Sequence, residues 1–569
     1  MQFAPGEVAG TAAPGEKPAA ELTARALAVG LVIGVLLNVA NLYLGLTAGI
    51  WDSGHITASV LGFALGRALP GRERFSILEN NTVQVVATSV GSMPAAAGLI
   101  GAIPALALLG HAVAPLSIAL WSVALGTLGV LLALLLAERL IVEEKLPFPT
   151  GVATAEVISA MHQSGRGRAS TLFAAGGVAM VIAGLRDGAG WIPGVLTLVP
   201  LAPYTLGVSV SPLLLGVGIV AGVPTGVSML LGSIAAWALL APALVHSGAV
   251  AQADYQHLSA WLTWPGVALL VSAAMISLAQ QAGSFRGAAR DLLSLRSGAG
   301  GPRWEIFAGL GAALLALLVG RFAFGLHPLQ TLGALLLSVV LGSVCARSAG
   351  ETDISPASQV GELTQAVFGV VAPGNALVNI AAGSIAAGEG AQVGVTLWSL
   401  KASHLLGGSR RKQALAALAG TLAGALISVP IYALLVSAYG LASKRLPAPT
   451  ALQWRAIAEV VTSGAHALPA GTGPAIAVCA TLGLLLTLLG QTRVKRFVPS
   501  PLALGIGFLI PASYSATICL GSLLLAAAAR LRPEWAERTA PVVGAGAIAG
   551  EALVGFALAV LVAAGVIGP

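Results

Sequence analysis

An all-α polytopic membrane protein, with about 14–16 transmembrane helices, added re-entrant half-helices and two related halves, is predicted from three observations. Of 569 residues, 57% are hydrophobic and only 9% are charged, a balance too apolar for a soluble domain of this size. Apolar runs long enough to span begin near Ala26, Thr47, Val83, Pro115, Ala169, Ser211, Val223, Thr263, Ile306, Leu329, Glu362, Gly388, Gln413, Leu468, Tyr514 and Val542. The charged residues collect in short segments between those runs. Gly (72) and Pro (31) are abundant, as suits membrane helices that pack closely and tolerate breaks. A β-barrel would need alternating strands, which this pattern lacks.

Residues 1–25 carry Pro, Gly and charges without an apolar core and read as a mobile tail rather than a cleaved leader. Residues 26–283 form the first transmembrane half, 284–305 a charged cytoplasmic linker, and 306–569 the second half. The net charge of +7 does not point to nucleic acid, because the basic residues sit in inter-helix loops, where they report orientation. Clusters at Arg67, Arg72 and Arg74, at Lys145, Arg166 and Arg168, at Arg286, Arg290, Arg296 and Arg303, at Arg410, Arg411 and Lys412, and at Arg493, Lys495 and Arg496 mark the cytoplasmic side. Lys444, Arg445 and Arg455 fall outside under that scheme. Cys345, Cys479 and Cys519 have no pair spacing and read as packing residues.

The stretch Asn38–Gly49, NVANLYLGLTAG, spends two asparagines, a tyrosine and two glycines at membrane depth. Lipid cannot satisfy such groups, so this helix end faces protein or a water-lined solute path. Shorter apolar pieces opened by prolines, Phe148–His162, Trp191–Ser209 and Val498–Pro511, suit re-entrant or broken helices. Pro147, Pro149, Pro499 and Pro501 are expected to place half-helices at that path, with KLPFPTG (Lys145–Gly151) paired to RFVPSPLALG (Arg496–Gly505). Gly49–Ser59 pairs with Gly350–Gln359, since both have a polar break followed by a helix.

Six motifs in order carry a family resemblance: NLYLGLTAG at Asn41–Gly49, ENNTVQ at Glu79–Gln84, KLPFPTGVATAEVI at Lys145–Ile158, GETDISPA at Gly350–Ala357, LKASHLLGGSRRKQ at Leu400–Gln413 and PSPLALGIG at Pro499–Gly507. With the Val217–Pro242 run they resemble the oligopeptide transporter (OPT) superfamily, its yellow stripe-like branch, in a bacterial member. The resemblance implies secondary active transport, generally proton-coupled, of oligopeptides, modified peptides or metal chelates. Where that family commonly has an Asp before the Leu-Lys pair, this chain has Ser399.

Asn41, Tyr43, Asn80, Asn81 and Gln84 are candidate substrate ligands, expected to line one cavity near the midplane. Glu79 opens ENNTVQ, where it either caps a helix or binds solute. Lys401 is either a snorkelling anchor or a counter-charge for an anionic substrate. Glu156 and Glu389 stand in apolar surroundings and are the candidate proton carriers, Glu156 first. Asp52 with His55, and Asp353 in the second half, are further polar positions whose plainer reading is loop pairing and capping. The eight histidines show no ligand spacing, so no protein-held metal is expected, and any metal travels already chelated. No GxxxxGK[ST] loop, HExxH or GxSxG is present, so neither ATP nor hydrolytic chemistry is indicated and no cofactor is expected. The competing reading is a solute or ion channel without gradient coupling. Expected partners are the solute, protons and the bilayer, without nucleic acid, and a homodimer is one assembly open to it. Few lysines beside many arginines and alanines suggest a bacterial inner membrane as the site of this multi-pass protein.

Overall fold

Apolar runs in lipid can satisfy their backbone groups only within themselves, and here they do so as helices. The structure, a computed structural model, describes residues 21–68, 75–164, 167–280, 303–464, 468–469, 471–493 and 495–566. Arg72, Arg74, Arg166, Arg286, Arg290, Arg296 and most of the expected linker lie outside the described residues. The first stretch contains α1 (Ala24–Ala48), α2 (His55–Ala68), α3 (Ile77–Gly91), α4 (Met93–Ala96), α5 (Ala102–Leu108), α6 (Pro115–Ala137, prolonged by a π-helical turn to Glu143), α7 (Pro149–Ser164), α8 (Gly167–Ala183), α9 (Pro212–Ser233), α10 (Ala241–His246) and α11 (Tyr255–Gln280). The second contains α12 (Arg303–Ala323), α13 (Pro328–Thr352), α14 (Ala357–Val371), α15 (Ala376–Leu405), α16 (Arg410–Tyr439), α17 (Pro449–Ser463), α18 (Thr472–Leu489), α19 (Pro501–Leu509), α20 (Ala512–Leu531), α21 (Pro533–Arg538) and α22 (Ala540–Ala563).

Among the described residues ten helices are long and apolar enough to cross a membrane. Several of the sixteen expected runs resolve into half-helices instead: the run at Thr47 becomes the 14-residue α2, and the run at Val83 ends with α3 at Gly91. The expected tail also ends sooner. Thr23 caps α1, and Glu21 accepts hydrogen bonds from Ser409 N (2.7 Å) and Gln413 Nε2 (2.8 Å). Residues 191–209 form no α-helix; Pro193, Pro200 and Pro203 remove donors, and a short 3-10 helix, Val199–Tyr204, stands between the strands of a two-residue antiparallel ladder, Val195–Leu196 with Val208–Ser209.

The two stretches repeat one another in inverted sense. Glu21 beside Ser409 and Arg410 beside Glu138 place the start of α1, the end of α6 and the start of α16 on one face of the bundle. Arg347, near the end of α13, meets Glu144 just past α6, so α13 ends on the face where α1 begins. Both helices have 25 residues, and both end in a left-handed cap, Gly49 (φ 72°) and Asp353 (φ 62°). Three residues before each cap a carbonyl receives an amide from the opposite repeat: Ala448 N to Leu46 O (2.7 Å) and Phe148 N to Gly350 O (2.9 Å). Phe148 (φ 45°) and Ala448 (φ 49°) both hold the left-handed conformation that non-glycine residues normally avoid. They are the central residues of LPFPT (Leu146–Thr150) and LPAPT (Leu446–Thr450), which lead into α7 and α17.

A second repeated string is SPLLLGVG at Ser211–Gly218 and SPLALGIG at Ser500–Gly507. Both serines cap their helix, accepting from Leu214 N and Ala503 N. Here the backbones of the two halves cross at van der Waals contact, which only a residue without Cβ allows. A methyl on Gly218 would strike the Ile518 carbonyl, and one on Gly507 would strike the Met229 carbonyl, its symmetric equivalent. The pairing of Lys145–Gly151 therefore differs from the expected one. Its partner is Lys444–Thr450, while Arg496–Gly505 pairs with the start of α9, because the local order Leu-Pro-x-Pro-Thr, rather than the preceding basic residues, sets the half-helix entry.

Candidate functional site

On the face where α1 ends, a cavity of about 450 Å³ opens between the two repeats. Its walls come from α1 (Tyr43, Thr47), the π-helical turn Gly184–Gly188 that follows α8 (Arg186, Asp187), the 194–211 excursion, the end of α16 (Tyr439), the loop before α17 (Lys444, Arg445), the start of α20 (Ser513, Tyr514) and α22 (Glu551). Glu551 lies inside an otherwise apolar helix and is 4% exposed, yet it is not isolated. Arg186 Nη2 pairs with it at 2.9 Å, Ser211 Oγ donates at 2.9 Å, and Leu213 N donates at 2.8 Å from the first turn of α9. The helix dipole adds to that anchoring of an anion. Arg186 also donates through Nε to Asp187 (2.8 Å) and through Nη1 to Val210 O (2.6 Å). A buried charge pair of this kind is tolerable only because nearly every polar atom has a partner.

Around this ion network stand three tyrosines. Tyr43 and Tyr439 meet edge to face with centroids 6.5 Å apart, Tyr439 Oη donates to Gly555 O (2.6 Å), and Tyr514 Oη donates to Lys444 O (2.9 Å). Lys444 and Arg445 are exposed at the rim, the latter with its guanidinium 5.4 Å from the Tyr439 ring centroid. The lining thus offers two carboxylates, three cations and aromatic faces. A solute bearing both amino and carboxyl groups finds a counter-charge for each.

Tyr43 is the one sequence candidate in this wall. Asn41, half a turn earlier in α1, is buried; its amide donates to Asp52 O (2.8 Å) and Gly91 O (2.7 Å) and accepts from Asp52 N (3.0 Å), tying the α1–α2 loop to the end of α3. Glu79 forms a capping box with Ser76 and pairs with Arg25 (2.6 Å) on the opposite face. Asn80 donates to Ser59 O (3.3 Å). Gln84 belongs to a buried polar cluster in which His55 Nε2 and Gln84 Nε2 each lie 3.1 Å from Ser399 Oγ, with Thr88 Oγ at 3.4 Å. Asn81, also buried, has both amide atoms without a hydrogen-bond partner among the described residues. Asp353 caps the start of α7, accepting from Thr150 N (3.0 Å) and Oγ1 (2.7 Å). Lys401 Nζ donates to Leu146 O (2.9 Å), at the entry to α7. Glu156 is exposed on α7, whereas Glu389 is enclosed in the middle of α15 and bonded by Ser338 Oγ.

Arg186, Asp187 and Glu551 were not singled out from the sequence. Glu551 carried a usable signal, a lone carboxylate in the apolar run Ala540–Ala563, the same logic that selects Glu156. Arg186–Asp187 closes an apolar helix and reads locally as an ordinary loop ion pair.

Comparison with known proteins agrees with this architecture. A putative oligopeptide transporter of Haemophilus influenzae is 27% identical, with 92% of this chain and 93% of the relative aligned. A putative oligopeptide transporter of Saccharomyces cerevisiae is 23% identical over 89% of this chain and 91% of its own length. A probable metal-nicotianamine transporter of rice (Oryza sativa subsp. japonica) is 24% identical over 94% and 88%. The family model described as OPT oligopeptide transporter protein matches residues 21–562, nearly the whole described chain, and this multi-pass membrane protein therefore belongs to the OPT family of transporters.

Proposed function

We propose that the chain is a proton-coupled secondary active transporter, in a bacterial inner membrane, for oligopeptides or metal chelates of the nicotianamine kind. The observation that carries this reading is the cavity of about 450 Å³, lined by both charge signs and by tyrosines, between inverted repeats. Its volume suits a small peptide or chelate. Carboxylates of the solute meet Lys444 and Arg445 at the rim, amino groups meet Asp187 and Glu551, and Tyr43, Tyr439 and Tyr514 cover the apolar body. Any metal enters as cargo, already held by its chelator. Of the two proposed proton carriers, burial favours Glu389 over Glu156, since a carboxylate withdrawn from water is the one whose charge state a solute or proton can switch.

Uptake of radiolabelled tetraalanine and of zinc-nicotianamine into proteoliposomes, with and without an inward proton gradient, tests the reading. Saturable accumulation of one of them above its external concentration, collapsing with the gradient, is expected. Flux that never saturates and never exceeds equilibrium would favour a channel.

A further inference from the structure

We infer that the ion-pair cluster Arg139–Glu144–Arg347–Glu351 is the second mouth of the solute path, held shut in this structure, of which the cavity at the Glu551 face is the open one. The inference rests on the reading of that cavity as the solute site. It follows from the inverted repeat. In α13, Arg347 and Glu351 stand four residues apart near the C-terminus, as Tyr43 and Thr47 do in α1. Both helices have 25 residues, so Arg347 and Glu351 occupy the positions of the two α1 residues that line the cavity. Counting from the first residues of α6 and α16, Pro115 and Arg410, Glu144 falls on the position of Tyr439. The contacts agree: Tyr43 meets Tyr439 at the open mouth, and Arg347 meets Glu144 (2.7 Å) on the other face.

At the open mouth the loop after α16 carries additional residues before LPAPT, with Lys444 and Arg445 exposed to the cavity. At the other, the chain passes from Glu144 to Leu146 directly, and Glu144 is clamped between Arg139 (2.9 Å) and Arg347, which also holds Glu351 at 3.1 Å. Aromatic contact leaves room beside the rings, whereas charge pairs draw α6, α13 and the α7 entry together. Because the repeats are related by symmetry, exchanging their conformations opens this cluster and closes the tyrosine mouth. The clamp also explains Lys401, whose bond to Leu146 O fixes the same entry from α15.

The test uses the full chain with Cys345, Cys479 and Cys519 replaced by alanine and one reporter thiol, either Ala202→Cys in the open cavity or Leu502→Cys, the repeat equivalent of the cavity-lining Leu213. Adding Arg347→Ala and Glu144→Gln should raise maleimide labelling of Leu502→Cys from the Arg347 face by about tenfold, the effect of losing pairs that favour one of two states, and lower that of Ala202→Cys. Unchanged labelling at both reporters overturns the inference. Should those variants fail to fold, Arg347→Cys with Glu144→Cys, bridged by a short reducible bis-thiosulfonate, gives a second measurement. Bridging should abolish zinc-nicotianamine or tetraalanine uptake, leave binding of the same probe intact, and be reversed by reductant. Uptake that survives bridging overturns the gate while leaving the cavity assignment standing, and so does loss of probe binding on bridging; failure of the cavity reading is told apart by Glu551→Gln and Lys444→Gln, which test the cavity alone.

Discussion

Tyr43 and Asn41 are half a turn apart in α1 and equally polar for their depth, yet one faces the cavity and the other staples a loop to α3. Residue type fixed that both must avoid lipid. Which of the two allowed alternatives each takes, protein or water, depends on rotation of α1 against α3 and α22, and that is set by packing across hundreds of residues. Glu79 shows the same limit: its capping geometry with Ser76 was readable three residues away, while its partner Arg25 comes from α1. Function at this scale can be separated from packing by charge. Lys444 is exposed and makes no side-chain ion pair among the described residues, so Lys444→Gln should lower affinity for a carboxylate-bearing solute by about two- to fivefold and leave thermal unfolding unchanged. Binding isotherms at low and high salt check it, because the difference should shrink at high salt. Glu389→Gln should abolish uphill uptake while counterflow exchange persists, since exchange needs no net protonation cycle. Glu156→Gln, on an exposed position, should leave both intact; the reverse pattern would return the proton to Glu156.

Half-helices and their entries were the most legible elements, since prolines announce them, and Pro149 and Pro501 do open helices. Their pairing was not. The basic residues that precede Lys145–Gly151 and Arg496–Gly505 made those strings look alike, whereas the structural repeat runs through Leu-Pro-x-Pro-Thr and Ser-Pro-Leu-x-Leu-Gly-x-Gly, short strings that carry the left-handed residue and the crossing glycine. The π-helical continuations after α6, α8 and α9 have no comparable local signature; α9 is also kinked at Gly222 (φ 78°), two residues before Pro224, in a backbone conformation that glycine adopts without steric cost. The crossing itself is testable. Gly507→Val places side-chain atoms against the Met229 carbonyl and should destabilise by about 2 kcal/mol or more, whereas Gly177→Ala, with nothing near its Cβ position, should stay within about 0.5 kcal/mol of the parent. Thermal melts in detergent distinguish them, and equal melts would mean that the helices separate freely there.

Composition alone settled the solvent of the whole molecule, but not how its halves meet. The expected linker at 284–305 divides the chain into two related halves without saying how they pack; α12 begins at Arg303, and the helices of the two stretches interleave, α9 with α20, α8 with α22, α11 with α18 and α19, α3 with α16, α6 with α15. Polar bonds tie the stretches at further points: α1 to α16 by Asn38 Nδ2 to Ser428 Oγ (2.7 Å), α3 to α15 by Gln84 Nε2 to Ser399 Oγ (3.1 Å), and the α3–α4 junction to α15 by Ser92 Oγ to Gln392 Oε1 (2.9 Å), all buried. In lipid no hydrophobic force holds such helices together, so close packing and these hydrogen bonds must do it, and an isolated half would expose the groups to hydrocarbon at several kcal/mol apiece. A chain divided between α11 and α12 should therefore give two pieces that aggregate or are degraded when made singly. Expressed together, they should copurify and restore gradient-driven uptake, because the break lies outside every crossing named above. Size-exclusion chromatography of each piece decides the matter: a monodisperse first half with a cooperative melt of its own would mean that the cross-repeat bonds are dispensable, and that the two mouths are coupled by something other than this shared core.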